Sequence, residues 1–239
     1  MNGKGGKDML VYELRLRVFL KADIEYFCAG ERIGQLLNRA MGRDPQYLDF
    51  HERPKEYKGY VFDAFYPFEK DGVYRAGKTY GVRLRTVREN LAEFFLENLT
   101  GEETAHVRCM KVDIRIIPRK GIQKLYSLTP AVMKNYPQGY WRDNMTVAQF
   151  EKRLTDNLMK KYKQLTGTEL DEDLMLYNGV KFINGKPVKV SYKGITLLGD
   201  KVELLAANEE MAQKLLYMAL GTGILENNGA CGCGFVDFL

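Results

Sequence analysis

The sequence has few of the residues that form metal and disulfide sites. There are four cysteines and two histidines among 239 residues. Cys231 and Cys233 make a single Cys-x-Cys pair, whereas structural zinc is held by four clustered ligands, usually in two close pairs. We therefore expect reduced thiols, no bound metal and no cofactor.

Long apolar runs and a strong charge of one sign are also absent. No uncharged apolar segment reaches the length that spans a membrane, and no signal peptide begins the sequence, so we expect a cytoplasmic protein without a membrane partner. The chain is 45% hydrophobic and 28% charged, which is typical of globular proteins. Its net charge of +5 is compatible with nucleic-acid binding but does not establish it.

The hydrophobic pattern of the first half predicts the element order βαββαβ. In chain order, the predicted elements are a strand at 10–20, a helix that ends at Gly42, strands at 59–68 and 79–87, a helix at 89–99 and a strand at 106–117. The inner face of that last strand is expected to carry Met110, Val112, Ile114 and Ile116. This order is the ferredoxin-like pattern.

After a break at 118–121 the pattern runs again. The predicted elements are a strand at 123–134 interrupted by Pro130, a helix at 146–165, strands at 179–184, 188–198 and 201–206, a helix capped by Asn208 and a strand at 234–239. Asn184-Gly185 is a strong hairpin signal, so we expect 179–184 to pair with 188–198. The sequence thus predicts an α+β chain with antiparallel sheets and two tandem ferredoxin-like halves, 1–118 and 119–239.

Five glycines lie between positions 221 and 234, after a helical pattern and before an apolar ending. Glycine permits positive φ and close approach of another chain, and main-chain N–H groups in such loops suit phosphates. The loop has no Gly-Lys-Ser/Thr sequence, so it is not a Walker loop. It also does not connect a strand to the start of a helix, as the Rossmann dinucleotide-binding fingerprint does. An ordinary connection between a helix and a strand remains the alternative.

Tandem ferredoxin-like halves that end in a glycine-rich loop resemble the RAMP superfamily of CRISPR proteins. Nearly the whole chain is similar to the Cas-six family of endoribonucleases that process CRISPR repeat RNA. The likeness is carried by the opening strand and helix, Tyr-Leu-Asp-Phe-His at 47–51, Leu-Tyr-Ser-Leu-Thr-Pro-Ala-Val at 125–132 and the tail at 229–234. That tail is longer and richer in cysteine than the Gly-Phe-Gly ending more common in the family.

The resemblance implies metal-independent cleavage of precursor CRISPR RNA within the repeat, leaving 2′,3′-cyclic phosphate and 5′-hydroxyl ends, to generate guide RNAs. It implies repeat RNA as the partner and leaves a homodimer and contacts with other CRISPR effector-complex proteins open. A non-catalytic RAMP subunit that binds repeat or guide RNA is the alternative.

The chemistry of such a cleavage defines the side chains that it needs. The RNA supplies its own 2′-hydroxyl as nucleophile, so the protein supplies a base, an acid and a cation. The resemblance implies His51 as the catalytic histidine, and histidine suits the proton transfers because its ordinary pKa lies near neutrality. It also implies a supporting lysine, which is Lys58 or, as a substitute, Lys55.

One position departs from the family pattern. Asn38 stands where some members have a tyrosine in the first helix. Tyr47 or Tyr57 could replace that tyrosine. Alternatively, cleavage could rely on positioning of the RNA and on cationic side chains alone.

Candidate RNA contacts are basic residues near the junction of the halves and the glycines of the tail. They are Arg119, Lys120, Lys124, Lys134, Arg142, Gly221, Gly223, Gly232 and Gly234. A further basic run in the long helix is expected to be a solvated face, and comprises Lys152, Arg153, Lys160, Lys161 and Lys163.

Overall fold

The computed structural model describes residues 9–53, 56–134, 139–171 and 174–239, with only the backbone of residues 51 and 52. The first half contains β1 (Val11–Leu20), β2 (Ile24–Glu25), α1 (Ala29–Met41), α2 (Pro45–Glu52), β3 (Tyr60–Phe62), β4 (Val73–Tyr74), β5 (Thr79–Thr86), α3 (Glu89–Asn98) and β6 (Val107–Ile117). The second half contains β7 (Lys124–Ser127), β8 (Ala131–Val132), α4 (Val147–Thr166), β9 (Tyr177–Phe182), β10 (Val188–Tyr192), β11 (Ile195–Asp200), β12 (Val202–Ala206), α5 (Glu210–Thr222), α6 (Asn228–Cys231) and β13 (Val236–Phe238). Short 3-10 helices cover Tyr26–Cys28 and Trp141–Asp143.

The main sheet of the first half has the strand order β3-β5-β1-β6, and its paired strands are antiparallel. Along β1, Leu14, Leu16 and Val18 are buried in the core beneath α1 and α3, while Arg15 and Arg17 are exposed. The predicted ferredoxin-like order is confirmed. Between α1 and β3 the structure adds α2, in a stretch for which the sequence pattern predicted no element.

The predicted inner face of β6 is wrong at three positions. Met110, Ile114 and Ile116 are 48%, 38% and 49% exposed, and of the four predicted residues only Val112 is buried. A register shift opposite Arg17 and Val18 leaves Met110 without a partner on β1, so the alternation changes phase there. Farther along, β6 is the edge of the sheet and has a neighbouring strand on one side only, so its apolar side chains stay half exposed.

The second half has a four-stranded sheet, β13-β7-β12-β9, and a separate three-stranded sheet, β10-β11-β8. The predicted strand at 123–134 is divided around Pro130, and its two pieces, β7 and β8, belong to different sheets. The helix begins with a capping box at Thr146 and ends at Gly167 in the left-handed conformation, as expected.

The predicted hairpin across Asn184-Gly185 is wrong. β9 pairs with β12, and β10 pairs with β11 through a two-residue turn at Lys193 and Gly194. Both turn residues have positive φ, 49° and 78°, as a tight hairpin turn requires. The side chain of Asn184 instead donates to Asp200 Oδ1 at 2.8 Å and accepts from the backbone N–H of Lys201.

Helix α5 packs between the two halves. The Tyr217 hydroxyl donates to the main-chain oxygen of Ile117 at 2.6 Å and accepts from the N–H of Val11 at 3.2 Å. The helix begins after Glu209 rather than Asn208, and it runs through Gly221, which therefore lies in a helix and not in the loop. In the described part of the chain, no helix combines the length and the apolar character needed to cross a membrane.

Candidate functional site

A cleft of about 600 Å³ lies between the two halves of the protein. One wall is the segment after α2, and the opposite wall is the segment from the end of α5 through α6; α4 and the hairpin turn between β10 and β11 also line it. The lining residues are Arg53, Glu56, Tyr57, Lys58, Gly59, Tyr60, Lys134, Arg153, Lys161, Leu165, Tyr192, Lys193, Thr222, Glu226, Asn227, Asn228, Gly229 and Ala230. Six of these are basic and two are acidic; Lys161 is buried and Arg153 pairs with Glu226, but the remaining charged lining residues are still mostly basic, so the cleft favours an anion.

Lys58 holds the end of α2 in the first wall. Its ammonium donates to the main-chain oxygens of Phe50 and Arg53, the latter at 2.8 Å. These carbonyls flank His51, which occupies the last turn of α2. Partial burial lowers the pKa of Lys58. Lys58 therefore fixes the turn that carries the predicted catalytic histidine.

The structure describes the other predicted catalytic residues only in part. The side chain of His51 and all of Lys55 lie outside the described residues. Of the two tyrosines considered as replacements, Tyr57 lines the cleft, whereas Tyr47 stacks on Phe94 with ring centroids 3.9 Å apart and its hydroxyl donates to the Asn90 main-chain oxygen.

The second wall depends on a close approach between α1 and α6. A Cβ atom built on Gly34 would stand 2.6 Å from the main-chain oxygen of Ala230, so only glycine fits at this contact. The Tyr60 hydroxyl donates to the Gly229 oxygen at 3.1 Å. Inside the loop, the Asn228 amide donates to the oxygens of Ile224 and Cys233 at 3.0 and 2.8 Å. The loop is thus a packed structure rather than an open connection.

Lys161 contradicts the expectation that the basic run of α4 is solvated. It is 1% exposed, and its ammonium donates to the main-chain oxygens of Gly223 and Leu225 and to Asn228 Oδ1, at 2.7, 3.0 and 2.8 Å. Burial lowers its pKa to about 7. Its neighbours Lys160 and Lys163 are exposed, as predicted.

Of the predicted basic RNA contacts, the cleft contains Lys134, which is exposed. The others line other parts of the surface: Lys120 is exposed, Lys124 pairs with Glu203 at 3.5 Å, and Arg119 donates to the Met9 main-chain oxygen. Arg142 forms an ion pair at 2.7 Å with Asp200, which is fully buried.

The four predicted glycine contacts are all buried. Gly221 lies in α5, and Gly223, Gly232 and Gly234 take positive φ values of 71°, 69° and 68° inside the packed loop. They shape the wall of the cleft, while Asn227 and Gly229 line it.

Sequence reasoning missed the contribution of the hairpin turn. Tyr192 and Lys193 reach the cleft from the second half, and Glu31 of α1 anchors this turn by accepting from the Ser191 hydroxyl and the Lys193 N–H at 3.0 and 2.8 Å. The sequence signal for this turn was Lys193-Gly194, but Asn184-Gly185 is a stronger turn sequence and predicted the hairpin at the wrong place.

Comparisons with known proteins identify the fold. No protein-family model and no curated protein sequence matches the chain. A solved structure described as CRISPR associated protein Cas6 matches with a TM-score of 0.70 over 96% of this chain and 99% of its own, at 16% identity. The chain has the Cas6 fold.

Two further solved structures share this Cas6 fold. A RAMP protein described as binding different RNA substrates has a TM-score of 0.71, 16% identity and coverage of 95% of this chain and 99% of its own. The product complex of a Thermus thermophilus Cas6 has a TM-score of 0.62, 15% identity and coverage of 98% and 100%. Among the described residues, no three His, Cys, Asp or Glu side chains are grouped so that they could hold a metal ion.

Proposed function

We propose that this protein is a member of the Cas6 family that binds CRISPR repeat RNA in the cleft between its halves and cleaves it within the repeat. The observation that carries the proposal is the cleft itself, which is lined by six basic and two acidic residues and opens beside the turn of α2 that contains His51. The Cas6 fold supports it, as do neighbours described as an RNA-binding RAMP protein and a Cas6 product complex.

The reaction proposed is an internal transesterification. A base removes the proton of a 2′-hydroxyl, the 2′-oxygen attacks the adjacent phosphorus, and the 5′-oxygen leaves with a proton from an acid. The products carry a 2′,3′-cyclic phosphate and a 5′-hydroxyl. No metal is required for this chemistry, because the nucleophile belongs to the RNA and the basic side chains of the cleft stabilise the developing negative charge.

We assign one of the two proton transfers to His51, because imidazole exchanges protons near neutral pH. Lys58 acts by holding the turn, since its ammonium already binds two main-chain oxygens beside His51. Lys55 is retained as a second candidate for the supporting lysine. Lys134 and Lys193, which both line the cleft, are proposed to contact RNA phosphates.

The test is cleavage of a labelled repeat RNA from the source genome in excess EDTA. We expect wild-type protein to cut once and to leave a cyclic phosphate, and His51→Ala to slow the single-turnover rate about 10²- to 10⁴-fold, as the loss of a general acid or base does. His106→Ala is the matched control, because His106 is the other histidine of the chain and lies immediately before β6, outside the cleft lining.

One outcome would count against the nuclease, and another against its metal-independent mechanism. Tight RNA binding without a cut by any of these proteins would make the chain a non-catalytic RAMP subunit that binds repeat or guide RNA. Cutting that stops in EDTA would remove the metal-independent mechanism.

A further inference from the structure

Two basic residues of α4 contact the glycine-rich loop: Arg153 forms a partly exposed ion pair with Glu226, whereas the Lys161 ammonium is buried against main-chain and amide oxygens. The ammonium reaches the oxygens of Gly223, Leu225 and Asn228 within 3.0 Å and that of Thr222 at 3.4 Å. A buried ammonium is costly unless hydrogen bonds satisfy its protons, and here all of these acceptors belong to the end of α5 and the glycine-rich loop. The charge of Lys161 therefore holds the shape of the second wall of the cleft.

The same face of α4 also holds the first wall. Gln164 exchanges two hydrogen bonds with the backbone of Tyr57, at 2.9 and 2.8 Å, and Asn157 Nδ2 lies 3.4 Å from the Tyr57 hydroxyl oxygen. Asn157, Lys161 and Gln164 have the i, i+4, i+7 spacing that places them on one side of a helix. The ring of Tyr57 lies 5.6 Å from Lys161 Nζ.

We propose that Lys161 is a positioning residue of this cleft, whose ammonium fixes the glycine-rich loop on α4 and so sets its distance from the segment that carries Tyr57 and Lys58. This inference rests on the proposed nuclease function. Lys161 is buried beneath the loop, so it acts through the loop and not by binding RNA from the surface. Its removal is therefore expected to change the rate of the cut much more than the affinity for RNA.

The decisive variant is Lys161→Met, which keeps the length of the side chain and removes the ammonium. Lys160→Met is the matched control, because it makes the same change one residue away at an exposed position. The single-turnover rate is measured with the repeat RNA, and the Kd is measured with the same RNA carrying a 2′-deoxy sugar at the cut. Hydrogen exchange is followed in peptides that cover 222–234 and, for reference, 11–20.

For Lys161→Met we expect the rate to fall at least tenfold with a Kd within about threefold of wild type, and exchange to rise at least tenfold in 222–234 but not in 11–20. Lys160→Met is expected to stay within twofold of wild type in all three measurements. Lys161→Gln, which retains two donors, is expected to fall between wild type and Lys161→Met, and it serves if the methionine variant does not fold.

Three results would overturn the proposal: a folded Lys161→Met with the wild-type rate, a rate that falls only in proportion to RNA affinity, or unchanged exchange in 222–234. Failure of both variants to fold would also overturn it, because Lys161 would then be needed for the whole fold and not for the cleft. If wild-type protein does not cut, the proposed function fails by itself, and the exchange comparison still decides whether Lys161 fixes the loop.

Discussion

Replacing Gly34 with alanine tests the packing that builds the second wall of the cleft. Gly34 lies in α1, where alanine is ordinarily favoured over glycine by about 1 kcal/mol. Here the new Cβ would stand 2.6 Å from the Ala230 oxygen, a distance at which one side must move, and both sides are backbone. Overpacking of this kind costs about 1–3 kcal/mol. We therefore expect a net loss of about 1 kcal/mol.

The assay is thermal unfolding followed by circular dichroism, with cleavage measured in parallel. In a chain of this size, 1 kcal/mol corresponds to a fall in Tm of about 2–4 °C. Gly121→Ala is the control, because nothing lies within 4 Å of a Cβ at that position. A Tm for Gly34→Ala that equals or exceeds that of wild type would refute the reasoning, since helix propensity would then outweigh the contact with Ala230.

Two further predictions concern charge. Burial raises the pKa of Asp63 to about 6 from its usual 3.8, despite the nearby Arg83, so its folded form binds more protons between those values. The stabilisation from this carboxyl is therefore complete below about pH 3.8 and is lost as the pH rises through about 6. We expect the Tm of wild type to fall relative to that of Asp63→Asn between pH 4 and pH 7. A difference in Tm that stays constant over this range would contradict the assignment. Lys134→Ala or Lys193→Ala should each reduce the slope of log Kd against log salt by about one in an RNA anisotropy titration, whereas unchanged slopes would mean that neither residue contacts a phosphate.

Elements set by local sequence could be predicted from the sequence. The capping box at Thr146 and the left-handed Gly167 determine the limits of α4 through contacts within a few residues of each. Burial of Leu14, Leu16 and Val18 likewise follows from the apolar face of β1. Such signals are contained in a short window and were confirmed, whereas the burial of Glu13 on the opposite face depends on its ion pair with Arg85.

Features that depend on distant partners could not be predicted in this way. The phase of β6 changes because of a bulge opposite Arg17 and Val18, about ninety positions earlier in the chain. The spacing of Lys161 from Leu154 and Leu158 places it on the buried face of α4, but the oxygens that its ammonium contacts belong to the distant loop at 223–228 and could not be predicted from the helix. The family resemblance implied the region around His51, which stays a prediction, whereas the place of the hairpin turn at Lys193 in the cleft depends on contacts between distant segments and was found only in the folded structure.

The hydroxyl of Tyr217 also has a consequence for how the chain reaches its folded state. Its two bonds join positions separated by 206 and 100 residues. Contacts of such long range are slow to form, because the entropy of closing the loop is lost before the contact is gained. The N–H of Val11, at the start of β1, therefore gains its bond to Tyr217 only after α5 has docked. We expect the two halves to unfold together in one cooperative transition, although each has the topology of a separate small domain.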